Sequence, residues 1–533
     1  MPKPASPESF SLRVDWRHRG QLDPLPPRPA PSAFLIVPLL PPSLTPGSGF
    51  DTPAILRLEV SHGAGSTTPL LDLRIDETGV QKRVFLWARP AGGGAWQPLG
   101  ARGSWTVPGP APGEALEVGL AALPGTGAER GSLGNDFTLS VGIANSPGEP
   151  RRPVRCRIAP ILLTSSLDPV EEVLVVRSSL SKGFVAEMER LLITVPGRPR
   201  LRPMEFEEIP HDVWMQDTVE IGRSPIPGPE GTIRQTVTPL LGLRAKHDGI
   251  KTAPLDAFVA DHLIRSLPDA VCVAPAAPRP STRWIDWYGN LEVSPPVKEF
   301  PCGRILTGHQ KELGIHPDLM AFLEAQRVQW PPLILDVSWL TIGHVDELIN
   351  FVPAKGRPGF RAVLPSPGLA RTLLEQAVKA GHGDAPVFAG KGKSETTAGD
   401  LLKNVARTPE TDAIERALGE ARARIKEGLG IGDREIVALP ALYQDGLAVI
   451  PSGVNSLVVG THVFIPDPVG PVADGEDIFR RATRQALAPL GLTLHFMDIW
   501  EPYHVRSGEI HCGTNAIRRL ANPFWWKAKR GMA

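Results

Sequence analysis

Between Ala54 and Ala159 apolar and polar residues alternate in short runs, broken by Gly, Pro and Ser turns. "AILRLEV", "VFLWARP", "ALEVGLAAL" and "FTLSVGI" are the clearest runs. A period of two with turns at this spacing predicts an all-β sandwich. From about Leu162 the rhythm changes. "EEVLVVRS" predicts a strand, and "GFVAEMERLLITV" predicts a helix followed by a strand. Further helices are expected at Pro317–Val328, Pro367–Ala380, Asp412–Glu427 and Glu476–Ala488. Each precedes an apolar, β-branched run such as "PLILDVSWL", "NSLVVGTHVFIP" or "LTLHFMDIW". That cadence describes an α/β unit. Residues 1 to 50 are punctuated by proline and predict a strand or two in an irregular arm. The expected divisions are therefore 1–50, 51–160 and 161–533.

Composition narrows the function. A chain of 533 residues exceeds one ordinary core, and 42% apolar residues can fill several. Proline, at 58 residues, stands at about twice its usual share, and glycine, at 53, is also high, which favours turns and sheets over long helices. Lys and Arg balance Asp and Glu at 57 each, with no block of like charges, so neither nucleic acid nor an anionic membrane is an expected partner. No apolar window is long enough to span a bilayer. The opening "MPKPASPESF" lacks a signal-peptide pattern, and a cytoplasmic location is expected. Cys156, Cys272, Cys302 and Cys512 form no CxxC or zinc-like spacing and are expected as reduced thiols.

Four stretches could carry chemistry. In "GHVDE" an extended backbone would put His344 and Asp346 on one face, an imidazole beside a carboxylate. Cys512 sits in "HCGTN", where Gly513, Thr514 and Asn515 suggest a turn that exposes the thiol and offers N–H donors. Such a setting favours the reactive thiolate. Cys156, Cys272 and Cys302 are expected as small buried hydrophobes. His511, adjacent to Cys512, is expected to point away from it. "DVWMQDTVEIG" offers Trp214, Gln216, Asp217 and Glu220 and could be a half-buried strand. "WYGNLEVSPPV" carries Glu292 in an apolar run, where its charge needs a partner.

Together "VWMQDTVEIG", "YGNLEVSPPV", "WLTIGHVDELINFVPA", "GHGDAPVFAG", "VNSLVVGTHVFIPDPVGPV" and "YHVRSGEIHCGTN" resemble, in order, the blocks of the protein-arginine deiminases. The resemblance covers most of residues 155 to 526. It implies a five-bladed α/β propeller catalytic domain of the guanidino-modifying type, preceded by an immunoglobulin-like sandwich. It also implies hydrolysis of peptidyl-arginine to peptidyl-citrulline with release of ammonia. By position Cys512 matches the nucleophile, His344 the general acid/base, and Asp217 and Asp346 the carboxylates that hold the guanidinium. Trp214 matches a channel tryptophan and Arg506 an arginine at the mouth. Arg244 stands nearest to the arginine that grips the substrate backbone. A calcium site beside the pocket is implied at Gln216, Glu220 and Glu292 with the main-chain oxygens of Tyr288 and Leu291, an all-oxygen set suited to Ca²⁺. Thr218 replaces a glutamate that serves a second ion, and "LLGLRAKHDGI" replaces an Asp/Asn-rich segment, so one ion is expected.

The expected partner is an arginine-containing protein or peptide, with a homodimer left open. Two other functions stay open on the sequence. The same pocket could act on free arginine or another small guanidine, by hydrolysis or amidino transfer. A chain of this kind could also bind arginine peptides without turning them over, although a binding role has no need of Cys512.

Overall fold

In the computed structural model the described residues are 9–15, 17–19, 21–25, 34–40, 53–61, 68–111, 114–125, 135–144, 150–242, 244, 253–267, 269–274 and 283–527. Much of the proline-rich arm, and residues 243 and 245–250 of "LLGLRAKHDGI", lie outside them. The architecture is mixed α/β, with many small sheets.

Two larger sheets occupy the N-terminal part. One has six strands, with Ala115–Ala122 hydrogen-bonded between Ala54–Ser61 and Val84–Pro90 at its centre. The other has five, with Asp136–Ile143 between Arg152–Ile158 and Leu70–Ile75. Alternate residues of both sheets (Leu56, Leu58, Leu71, Leu73, Val118, Leu120, Leu139 and Val141) meet in one core without solvent exposure. The period-two pattern records this directly, because one face of each strand packs inward. The arm is not separate from these sheets. Ser9–Val14 pairs with Ala54–Ser61, and Leu35–Val37 runs parallel to Arg152–Ile158.

From Leu162 onward the chain builds one motif five times: two antiparallel strands, a helical crossover, then a strand parallel to the second. Val219–Pro227 and Ile233–Leu241 are followed by helix Ala253–Ser266 and a short parallel bridge at Val273. Leu291–Val293 and Ile305–His309 lead through Pro317–Gln326 to Leu333–Asp336. Asn350–Pro353 and Phe360–Ser366 lead through Pro367–Lys379 and Pro409–Leu429 to Ile436–Pro440. Leu457–Val459 and His462–Pro466 lead through Ile478–Leu487 to Thr493–Met497. The fifth sheet joins distant parts of the chain. Thr514–Arg518 pairs antiparallel with Val170–Arg177, which leads through Lys182–Leu192 to Arg200–Glu205.

All four expected helices from Pro317 onward form within a few residues of their expected ends. Pro317, Pro367 and Pro409 each open a helix, where the missing N–H costs nothing. Two local expectations fail. "ITV" (193–195) is a turn, and the strand comes later at Arg200–Glu205. Helix Ala253–Ser266 was not expected, although Leu255, Val259 and Leu263 recur every fourth residue and are fully buried. Among the described residues no helix is long and apolar enough to cross a membrane.

Candidate active site

Each of the five sheets delivers polar groups at the same place, the entry to its first strand. The helical turn Met215–Thr218 carries Gln216 and Asp217 into Val219–Pro227. The turn Tyr288–Asn290 leads into Leu291–Val293. His344 and the turn Val345–Glu347 precede Asn350–Pro353. Asn455 precedes Leu457–Val459, and the helical turn Ile510–Gly513 runs straight into Thr514–Arg518.

Several local expectations are corrected here. "HVDE" is not a strand: after an extended His344 the chain turns, because the His344 N–H is captured by Glu347 Oε1 at 3.2 Å. "WMQDT" is likewise a helical turn and not the start of a half-buried strand. Cys512 lies within a helical turn, and Thr514 and Asn515 already belong to a strand, so the thiol is buried and not displayed. All four cysteines are free. Cys156 and Cys302 are buried as expected, but Cys272 is half-buried.

Asp217, His344 and Cys512 line one cavity of about 120 Å³, with Trp214, Trp284, Trp287, Arg244 and Arg506 among its other walls. His344 is fixed at both nitrogens. Its Nε2–H donates to the Trp284 carbonyl at 2.8 Å, and its Nδ1 faces Asp217 Oδ1 at 3.6 Å. Since a carbonyl can only accept, Nε2 carries a proton and Nδ1 is the nitrogen left to exchange one. The Gly289 N–H also donates to Asp217 Oδ1, at 3.2 Å. A Cβ on Gly289 would stand 2.3 Å from His344 Nδ1, so only glycine lets that backbone reach the carboxylate. At the other wall a Cβ on Gly508 would press into the Trp214 indole at 2.4 Å.

Asp346 stands behind the cavity wall. Its Oδ2 accepts from the Cys512 thiol at 3.4 Å and from His511 Nδ1 at 3.0 Å, while its buried Oδ1 has no hydrogen-bond partner. Burial pushes the Cys512 thiol well above its ordinary range, and Asp346, Asp217 and Glu347 push it further. Burial also raises Asp217, with His344 and Arg244 opposing and Asp346 adding to the rise. Neighbouring carboxylates thus raise both the acid and the thiol that line the pocket, and added positive charge there would favour their ionised forms.

Arg244 is completely enclosed. Its Nη1 and Nη2 donate to both oxygens of Asp212 at 2.9 and 3.2 Å, and its Nε donates to Asp256 Oδ1 at 2.9 Å. Its donors are taken up within the wall, and the guanidinium lies 5.5 Å from the Trp287 ring. Arg506 is half-buried at the cavity, and its Nε has no hydrogen-bond partner.

A second, smaller cavity of about 30 Å³ lies next to the first, lined by Gln216, Glu220, Leu291, Glu292, His511 and Arg518 among others. Gln216 Nε2 donates to Glu220 Oε2 at 2.7 Å and to the Tyr288 carbonyl at 3.3 Å. Burial and mutual repulsion push Glu220 to about 8, and burial pushes Glu292 to about 7. Among the described residues Glu292 Oε1 is buried without a hydrogen-bond partner, with His511 Nε2 3.3 Å away. Among the described residues no three His, Cys, Asp or Glu side chains cluster closely enough to hold a metal by themselves, so any ion here would need the amide and carbonyl oxygens too.

His511 was passed over in the sequence. It does face away from the cavity, but toward Asp346 and toward Glu292, 3.3 Å away. Burial opposes its charge, yet these carboxylates and Glu220 raise it to about 9. Asn455, Trp284, Trp287 and Asp212 were also missed. All but Trp284 lie in stretches singled out for other reasons, and a lone Asn, Asp or Trp there reads as ordinary core or turn.

A protein-arginine deiminase family model matches residues 151–527. Mouse protein-arginine deiminase type-4 is 34% identical over 391 residues, covering 70% of this chain and 56% of that protein. Human type-3 is 34% identical over 386 residues, covering 69% and 56%. The chain therefore spans a little over half the length of these relatives. Among solved structures, the C. jejuni agmatine deiminase overlays with a TM-score of 0.37 at 10% identity, covering 67% of this chain and 96% of that one, too loosely to bear on the fold. With a family model spanning most of its length, the chain belongs to the protein-arginine deiminase family.

Proposed function

We propose that this protein hydrolyses peptidyl-arginine to peptidyl-citrulline and ammonia, with Cys512 as nucleophile. The observation that carries the proposal is the single 120 Å³ cavity in which the sulfur, the His344 imidazole and the Asp217 carboxylate meet between indole walls. An arginine head group stays charged, and burying it unpaired would cost several kcal/mol. Asp217 lines the cavity and supplies acceptors for the guanidinium N–H groups, and Asp346, behind the wall with a buried Oδ1, adds negative charge that favours a cation there. That cation also offsets the carboxylates that hold Cys512 protonated, so substrate entry itself favours the thiolate.

As the substrate cation enters, the Cys512 thiol gives its proton to His344 Nδ1, and the thiolate adds to the guanidinium carbon, forming an S–C bond as the C=N electron pair moves to nitrogen. His344 passes a proton from Nδ1 to one amino group, the C–N bond breaks, and ammonia leaves a thiouronium. His344 then takes a proton from water as the hydroxide adds to carbon. The S–C bond breaks, the thiolate departs, and the adduct's hydroxyl proton leaves with ammonia as ammonium. Trp214 supplies a flat wall for the guanidinium plane, and Arg506 a free N–H for substrate carbonyl oxygen.

The residues of the smaller cavity fit Ca²⁺. Gln216, Glu220 and Glu292 with the Tyr288 and Leu291 carbonyls would hold it: burial raises both carboxyls, and Glu292 Oε1, with His511 Nε2 3.3 Å away, accepts no hydrogen bond among the described residues. Bound there, the ion would supply positive charge that keeps both glutamates ionised beside the pocket. The five repeated sheets support a five-bladed propeller. The paired N-terminal sheets support an immunoglobulin-like sandwich.

Ammonia release from a blocked arginine peptide tests the proposal. Turnover is expected from the wild type and a loss of at least about a thousandfold from Cys512→Ala, which should still bind the peptide. Activity retained in that variant, or confined to free arginine, would overturn the assignment.

A further inference from the structure

We propose that Asn455 is a catalytic residue, whose side-chain amide holds the Cys512 sulfur in place and favours its thiolate. The inference rests on Cys512 being the nucleophile. Asn455 is 1% exposed. Its Nδ2 donates to Cys512 Sγ at 3.2 Å and to the Asp346 carbonyl at 3.3 Å, while its Oδ1 accepts the Cys512 N–H at 3.2 Å. The amide can face only one way. The Cys512 N–H requires an oxygen opposite it, and the Asp346 carbonyl requires an N–H. The Asn455 carbonyl in turn accepts the His511 N–H at 3.2 Å, so one residue holds the two successive backbone amides that lead into Cys512 and touches its sulfur.

Two independent features support the role. The charges that act most strongly on Cys512 are the acids Asp346, Asp217 and Glu347, and its other side-chain contact, Asp346, accepts the thiol proton and so favours the thiol. Asn455 Nδ2 is the one side-chain donor on the sulfur among the described residues, and a donor gains strength when its acceptor becomes an anion. The position also completes the fivefold pattern. Four sheets present Asp217, Gly289, His344 with Asp346, and Cys512 at the entries to their first strands, and Asn455 is the fifth sheet's contribution at the same place.

The test compares wild type, Asn455→Asp and Asn455→Ala. Asn455→Asp keeps an oxygen for the Cys512 N–H and removes the donor to sulfur, whereas Asn455→Ala removes both. Iodoacetamide alkylation is followed from mildly acidic to alkaline pH, with peptide mapping to separate Cys512 from the other three thiols. Both variants should need higher pH for alkylation of Cys512, being about tenfold slower at neutral pH, and kcat should fall more than KM rises. Alkylation curves that superimpose on the wild type in both variants, even with reduced turnover, would make Asn455 a structural clamp alone and overturn the inference. A wild type that loses activity without modification at Cys512 would overturn the nucleophile assignment and this inference together.

Discussion

At the scale of single residues, the smaller cavity is defined by charge held out of water. Glu220 and Glu292 share it with a protonated His511 and with Arg518, whose own charge burial opposes. Calcium should therefore raise the unfolding midpoint of the wild type. Saturation at a hundred times Kd corresponds to about 2.7 kcal/mol. Glu292→Gln removes one charged ligand and should flatten that response in the same thermal titration. A wild-type midpoint indifferent to Ca²⁺ would leave the cluster structural. Of the residues involved, Glu292 was visible as a buried acid in an apolar run, but His511 was not. Its neighbour on the chain, Cys512, faces the other cavity, and a helical turn sends adjacent side chains about 100° apart, which no spacing rule of strands would reveal.

At the scale of elements, the N-terminal six-stranded sheet carries a charged cross-link. Glu117 stands directly opposite Arg57 on one neighbouring strand and Arg89 on the other, with contacts of 2.6 and 2.9 Å. Burial alone would raise its carboxyl, but the two guanidinium groups outweigh burial and hold it below its ordinary 4.5. A depressed folded-state value means that the pair's contribution is present above about 4.5 and is lost as pH falls through the lowered value. Glu117→Gln should cost about 1–2 kcal/mol at pH 7, less than a fully buried pair because both arginines are part-exposed. The difference from wild type should shrink in acid, as urea unfolding at neutral and acidic pH would show. Elements of this kind were the most legible part of the chain, since Leu56, Leu58, Val118 and Leu120 alternate cleanly with polar positions. The short turns at Met215–Thr218 and Ile510–Gly513 were not legible. Four residues are too few for a helical period, and what sets them is the strand that follows.

At the scale of the whole molecule, Trp525 and Trp526 tie together parts that are far apart in sequence. They are almost fully buried with Phe34 and Ile36 of the N-terminal part and Leu162 of the first small sheet, and the Trp525 indole N–H donates to the Pro225 carbonyl at 3.0 Å. Trp525→Ala should cost about 3–5 kcal/mol and open the contact between the paired sheets and the rest, seen as earlier unfolding and faster proteolysis around Ala159. The five repeats behind this arrangement escaped sequence inspection because they share geometry and not residues. Their crossovers range from one helix to three, so no fixed period exists to detect. The strand Thr514–Arg518 has a consequence for how the molecule comes into being. Its partner Val170–Arg177 is synthesised long before it, and until it arrives that early strand keeps a bare edge of backbone donors and acceptors. The sulfur rides on the turn just ahead of the sealing strand. A growing chain that has not yet reached Thr514–Arg518 therefore lacks both the cover for that edge and the Cys512 sulfur, and one stretch of chain supplies the two together.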